Sequence, residues 1–339
     1  MISSRSAMSR CLALAGTVVV GLVFATGCLE DAGHGNPLDP MSENFEEVGT
    51  LNGQVTSFYA PYRNLDGVEV RLTPGPFVAL TNAQGRFAFR RIPVDTYVVQ
   101  ALKEGFAVTT DTVAVPLGPP VETTLRLDGL PSVVDLTTAT VHISRWWPPP
   151  LDLFRLEVSA QITDPDGVAD VEEVFLEIPE LGFSTTLQSG GEPGRFTQSI
   201  PEANFPTGAL QALMGRPFRL RLRDRAGFEH MTDPWTLVRV IEETPVAVDP
   251  QGLAVLSDPT PVLTWERVRL PYPFTFRVEI IRQEANVQVR ERLMTGLPPE
   301  STSVQVAAPL APGSYLWTVS IVDEFGNRSG SKEVGFIIP

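Results

Sequence analysis

Phe154-Arg155-Leu156-Glu157-Val158-Ser159-Ala160-Gln161-Ile162 alternates apolar or small residues with polar ones along its whole length. Successive side chains of an extended chain point to opposite faces. The stretch therefore lays Phe154, Leu156, Val158, Ala160 and Ile162 on one side and Arg155, Glu157, Ser159 and Gln161 on the other, as in a half-buried antiparallel strand. The same two-residue period recurs in Val68-Glu69-Val70-Arg71-Leu72, Phe87-Ala88-Phe89, Leu125-Arg126-Leu127, Phe274-Thr275-Phe276-Arg277-Val278-Glu279-Ile280 and Tyr315-Leu316-Trp317-Thr318-Val319-Ser320-Ile321. Turn signals separate the runs: Leu65-Asp66-Gly67, Ala83-Gln84-Gly85, Pro165-Asp166-Gly167, Gly190-Gly191 and Phe325-Gly326-Asn327. Short strands with frequent turns predict an all-β protein of sandwiches or barrels. A short helical piece is expected around residues 209–214 and nowhere else.

Composition supports this reading. The 339 residues suffice for two or three domains, 43% are apolar, and Gly and Pro number 27 and 31. The formal charge of −14 argues against general nucleic-acid binding, which needs clustered Lys and Arg on phosphates. Three His and two Cys leave little material for a His/Cys metal site. No Gly-x-Ser-x-Gly elbow, phosphate-cradling Gly-x-x-x-x-Gly-Lys or His-Glu-x-x-His occurs, so no catalytic residue is expected.

The beginning of the chain reads as a processing segment. Arg5 and Arg10 precede an apolar run, residues 11–25, which is shorter than the ~20 residues a membrane-spanning helix needs. Ala25-Thr26-Gly27-Cys28 follows and resembles the bacterial lipobox. The resemblance implies a cleaved signal peptide at 1–27 and acylation of Cys28, for example with palmitate. The chain is then lipid-anchored in the cell envelope with the bilayer as a partner through Cys28. Leu29, where the sorting pattern has Asp for inner-membrane retention, points to the outer membrane. Each buried acyl CH₂ contributes ~0.8 kcal/mol, so more than one chain gives stable attachment. Residues 28–46 carry Glu30, Asp31, Asp39, Glu43 and Glu46 without a Lys or Arg and read as an acidic flexible tether.

Three blocks follow, at 47–130, 131–243 and 244–339, each expected to be one β-sandwich. The first is similar to the carboxypeptidase regulatory-like domain, a transthyretin-like sandwich. The carriers are Gly53-Gln54-Val55, Leu65-Asp66-Gly67-Val68-Glu69-Val70, Thr81-Asn82-Ala83-Gln84-Gly85-Arg86-Phe87, Ile92-Pro93-Val94-Asp95-Thr96-Tyr97 and Lys103-Glu104-Gly105-Phe106. Where that family has Gly before Thr-Tyr this chain has Asp95, expected to take a left-handed conformation that Asp tolerates. The last block resembles a fibronectin type III or immunoglobulin-like domain through Pro261-Val262-Leu263-Thr264-Trp265, whose Trp would fill the core, and through residues 315–329. The middle block has a general immunoglobulin-like pattern. Such domains commonly serve as non-catalytic modules of exported proteins.

Two features could carry function. Residues 164–180 hold Asp164, Asp166, Asp170, Glu172, Glu173, Glu177 and Glu180 without a base. Asp164-Pro165-Asp166-Gly167 reads as a turn. With Asp170 it also partly resembles the calcium loops of exported β-domains, which makes Asp164, Asp166 and Asp170 candidate calcium ligands and calcium the one candidate cofactor. Opposite in sign, Phe218-Arg219-Leu220-Arg221-Leu222-Arg223 places three Arg on one face, for cross-strand ion pairs or an anion patch. In Arg145-Trp146-Trp147-Pro148-Pro149-Pro150 the prolines cannot donate to a ladder, so the segment is a loop or edge. Trp146 and Trp147 point opposite ways there, one capping its sandwich and the other wedged on the first block at the domain junction, or as a partner-binding surface. The sequence thus predicts a non-catalytic envelope lipoprotein that binds, adheres or scaffolds, with an envelope protein or glycan as partner. A carbohydrate-binding accessory protein is the alternative, and a hydrolase stands further off.

Overall fold

The computed structural model describes residues 41–42, 46–284 and 287–339. The expected signal peptide, Cys28 and most of the expected tether lie outside the described residues. The chain divides into two compact units, Met1–Val48 and Gly49–Pro339. The second unit is nearly all β and contains three hydrophobic cores, each between two sheets. Among the described residues no helix is long and apolar enough to cross a membrane.

The first sandwich packs a four-stranded sheet, in the order Phe77–Leu80, Glu69–Thr73, Asp95–Leu102, Thr109–Val115, on a three-stranded sheet, Arg86–Pro93, Val48–Ser57, Val121–Leu127. Every second residue turns inward, so Leu51, Val55, Val70, Leu72, Tyr97, Val99, Leu125 and Leu127 form the core. The turn at 82–85 forms as its residues require. Asn82 Oδ1 accepts the N–H groups of Gln84 and Arg86, both at 3.0 Å, and Gly85 sits at φ +69° where a Cβ would lie 2.4 Å from the Val55 carbonyl oxygen. Asp95 does not take the left-handed conformation. It opens a strand and its carboxylate accepts its neighbour Thr96 N–H at 2.7 Å, while the positive φ in this region falls on Arg91.

The middle sandwich has the sheet Phe183–Thr186, Val171–Ile178, Pro217–Asp224, Glu229–Met231 over the sheet Gln188–Ser189, Arg195–Pro201, Asp152–Thr163, Ser132–Ser144. Strand Asp152–Thr163 buries Leu156, Val158, Ala160 and Ile162, the face expected from their alternation. Around residues 209–214 there is one turn of 3₁₀ helix, Gln211–Leu213, with two more such turns at Pro179–Leu181 and Glu202–Asn204.

The third core begins at Ile241 and includes Trp265, Phe276, Val278, Ile280, Tyr315, Trp317, Val319, Ile321 and Phe336. Trp265 is buried as expected of the core-filling Trp. The short strand Arg328–Gly330 hydrogen-bonds in parallel with Ser132–Ser144, matching Arg328 to Val141 and Gly330 to Ile143. The open edge of the middle sandwich is thereby covered, and one ten-stranded sheet runs through the second and third sandwiches.

Candidate functional site

Where the first sandwich meets the second, short connections bring acids from three places together. Asp128 directly follows strand Val121–Leu127 of the first sandwich. Asp170 directly precedes strand Val171–Ile178, and Asp224 ends strand Pro217–Asp224 of the second. Val171 pairs with Asp224 in the antiparallel ladder, which sets Asp170 and Asp224 side by side. One carboxylate oxygen of each of Asp128, Asp170 and Asp224 lies within 4.8 Å of the other two. The residues are only 1%, 6% and 0% exposed.

The hydrogen bonds in this cluster are incomplete. Asp224 Oδ1 accepts the Phe228 N–H at 2.8 Å, and the Tyr59 hydroxyl stands close to the Asp170 carboxylate. Asp224 Oδ2, Asp170 Oδ2 and both oxygens of Asp128 are buried without a donor. Burial, then the Asp224 charge, pushes the Asp128 carboxyl up to about 8. Burial likewise raises Asp170 and, with the Asp170 charge, lifts the Tyr59 hydroxyl above the usual phenol range.

The Asp164–Gly167 turn is the neighbouring wall. Asp164 Oδ1 accepts the Asp166 N–H at 2.7 Å while its Oδ2 is buried without a donor, and burial pushes this carboxyl up to about 6. Asp166 is already engaged across the junction. Its Oδ2 accepts the Gly129 N–H at 2.7 Å, and Arg63 stands 3.9 Å from its Oδ1 while donating to the Pro165 carbonyl at 3.0 Å. Of the three acids singled out from the sequence, Asp170 joins the cluster, Asp164 borders it, and Asp166 ties the turn to the first sandwich. Asp128, Asp224 and Tyr59 escaped sequence reading. Asp224 had a visible signal, because Phe218, Leu220, Leu222 and Asp224 share the inward register of one strand. Nothing local marks Asp128, which gains its surroundings only when the two sandwiches dock.

The other candidates lie elsewhere. Two arginines of the stripe are used in ion pairs: Arg221 reaches Glu177 and Glu229, each at 2.7 Å, and Arg223 pairs with Glu173 and Glu172, while Arg219 Nη1 lies 3.7 Å from Met231 Sδ. Trp146 and Trp147 are 64% and 77% exposed, at the end of the middle sandwich that abuts the third one. Trp146 Nε1 donates to the Glu333 carbonyl at 2.7 Å, and Lys332 Nζ sits 4.4 Å from the centre of its ring, so the contacts of Trp146 are with the third sandwich and not with the first block as expected. His142 is buried between Ser329 at 3.1 Å and Asp152 at 3.2 Å and stacks on Phe154. An open groove on the first sandwich is lined by Gln54, Asn82, Arg86, Glu122 and Thr124.

No protein-family model and no curated protein matches this sequence. Among solved structures the chain is similar to BcpA, the major pilin subunit of Bacillus cereus, at 9% identity over 83% of this chain and 91% of that one, with a TM-score of 0.28. It is also similar to the fibronectin(III)-like modules of Clostridium thermocellum CbhA, at 14% identity over 62% and 93% with a TM-score of 0.28. The FN1–FN3 domains of chicken CNTN1 match at 10% identity over 80% and 88%, with a TM-score of 0.26.

Proposed function

We propose that this chain is a non-catalytic envelope protein, held at the outer membrane by lipid on Cys28, that binds or scaffolds through a fixed array of β-sandwiches. The observation that carries the reading is the use made of polar chemistry: buried polar side chains serve as struts between modules. Asn327 Oδ1 accepts the Thr140 N–H at 2.8 Å and its hydroxyl at 3.1 Å, while Arg239 donates to Asp323 at 2.8 Å. His142, the buried histidine, is bonded within the seam of the shared sheet. The convergent carboxylates at the first junction are sealed from solvent, so a glycosidic substrate has no route to them, which counts against a hydrolase. In this reading the first sandwich is a carboxypeptidase regulatory-like module, and the second and third are immunoglobulin-like and fibronectin type III-like modules.

The partner surface is assigned to the Trp146–Trp147 loop. Exposed Trp offers a large rigid apolar area to a partner at small entropic cost. A glycan ligand is the second reading, favoured by the same two exposed indoles. The test is capture from envelope fractions with the full chain in mild detergent. Trp147→Ala is expected to keep the melting temperature and lose the captured protein or glycan; unchanged capture by Trp147→Ala and by Trp146→Ala refutes the assignment. Anchoring is tested separately with labelled palmitate, which should enter the wild type and not Cys28→Ala; equal incorporation ends the lipoprotein reading.

A further inference from the structure

We propose that Asp128, Asp170 and Asp224 together bind one calcium ion that clamps the first sandwich onto the second. The first argument is the state of the carboxylates. Four of their oxygens are buried and accept no N–H or hydroxyl of any other residue, so only a proton held between the carboxyls or a metal ion can satisfy them. The bases nearby do not meet this need. Arg63 is engaged with Pro165 and Asp166, and Arg225 acts on Asp170 only through space.

The molecule contains its own comparison. Asp224 and Asp323 each end a strand of a sandwich, and each caps the turn that follows, accepting the N–H four residues on at 2.8 and 2.9 Å. Each is followed three residues later by a Gly at positive φ, Gly227 and Gly326. In the third sandwich the remaining oxygen, Asp323 Oδ2, receives Arg239 at 2.8 Å and Asn327 Nδ2 at 3.0 Å. In the second sandwich the remaining oxygen, Asp224 Oδ2, receives no donor and faces two further carboxylates. The same local motif is completed by a cationic side chain in one module and lacks one in the other.

The donor set selects the ion. The cluster offers oxygens only, a set for hard cations rather than zinc or copper. Calcium takes six to eight oxygens in flexible geometry and accepts a bidentate carboxylate, a role open to Asp128 with both oxygens bare. Magnesium demands a tight octahedron and retains several waters, which suits a sealed cluster less well. The location gives the consequence: one ligand belongs to the first sandwich and two to the second, so binding requires the two to be docked.

The test uses the full chain in mild detergent, stripped with chelator and then dialysed against radioactive calcium. The expected result is one calcium per chain, a melting temperature raised by calcium and less by equal magnesium, and protection of the 128–131 connection from protease. Asp128→Asn and Asp224→Asn should each lower calcium affinity at least tenfold, while melting no lower than the chelated wild type, because each removes a buried carboxyl that without metal must be protonated or stay uncompensated. That second readout separates a lost ligand from a misfolded variant. Asp135→Asn, exposed on the middle sandwich, should bind as the wild type does. The proposal is overturned if the wild type binds no calcium at several millimolar, if magnesium binds as tightly, or if Asp128→Asn retains full affinity. In the first case the carboxylates share protons instead of a metal.

Discussion

At the scale of single residues, the junction of the first two sandwiches is sensitive to small changes. A Cβ on Gly129 would lie 2.9 Å from Pro165 Cβ and 3.1 Å from the Asp166 nitrogen, so Gly129→Ala must push the Asp164–Gly167 turn away. Overpacking of this kind typically costs about 1–3 kcal/mol, and urea unfolding of Gly129→Ala should show a loss in that range. Charge at the same place gives a pH dependence. The Asp128 and Asp164 carboxyls are pushed up to about 8 and about 6, from an ordinary 3.8, by burial first and then by the acids around them. The charged groups facing them are Asp166, Asp170 and Asp224, with Tyr59 on Asp170, Arg225 acting on Asp170 and Arg63 beside Asp166. A carboxyl with a raised folded-state pKa holds its proton more tightly folded than unfolded. Its contribution to stability is full below the unfolded value and is lost as pH climbs through the folded one. In chelator, these two groups should therefore lower the urea midpoint of the wild type as pH rises from about 4 to about 8. Asp128→Asn should flatten the upper part of that fall, and an equally steep fall in the variant would exclude Asp128 as its source.

At the scale of elements, a strand's contribution depends on what its polar face meets. Strand Pro217–Asp224 buries Phe218, Leu220 and Leu222 and turns its arginines to a half-exposed face. Arg221 Nε and Nη1 each bond a carboxylate, and the guanidinium lies 4.1 Å from the centre of the Phe175 ring. Such pairs are screened by water, so Arg221→Ala is expected to cost about 1 kcal/mol or less in a denaturation series. Strand Arg328–Gly330 is the opposite case. It is three residues long, yet it closes the shared sheet, and Asn327 beside it holds Thr140 and Asp323 in a buried network. Asn327→Ala strands the Thr140 N–H and removes a donor from Asp323, and a loss of about 2–4 kcal/mol is expected from these buried, partly charged bonds. A smaller loss than that of Arg221→Ala would contradict the placing of this network at the seam.

At the scale of the whole molecule, the two junctions differ in kind. The second and third sandwiches share backbone hydrogen bonds across a common sheet, whereas the first meets the second through a turn, an arginine and the carboxylate cluster. Calorimetry of the chelated chain should thus resolve the first sandwich from a joint transition of the other two. Calcium should move the first transition toward the second, because a ligand bound only in the docked state stabilises it. Independent melting of the third sandwich would contradict the shared sheet as a unit of cooperativity.

The alternating runs at 154–162, 274–280 and 315–321 by themselves determined an all-β chain and which of their side chains enter the second and third cores, because a period of two is a local property of an extended backbone. The turn at 82–85 was equally legible, since Asn and Gly there act on their own neighbours. The acid-rich stretch 164–180 contributes Asp170 to the carboxylate cluster and Asp164 to its wall, but the local pattern cannot show which carboxylate meets a backbone N–H and which meets another carboxylate. Only the tertiary structure decided that Asp166 would tie a junction, that Asp128, 42 residues before Asp170, would join Asp170 and Asp224, and that His142 would become a strut. Those outcomes depend on the docking of one sandwich on another, an interaction between distant segments that no local period encodes.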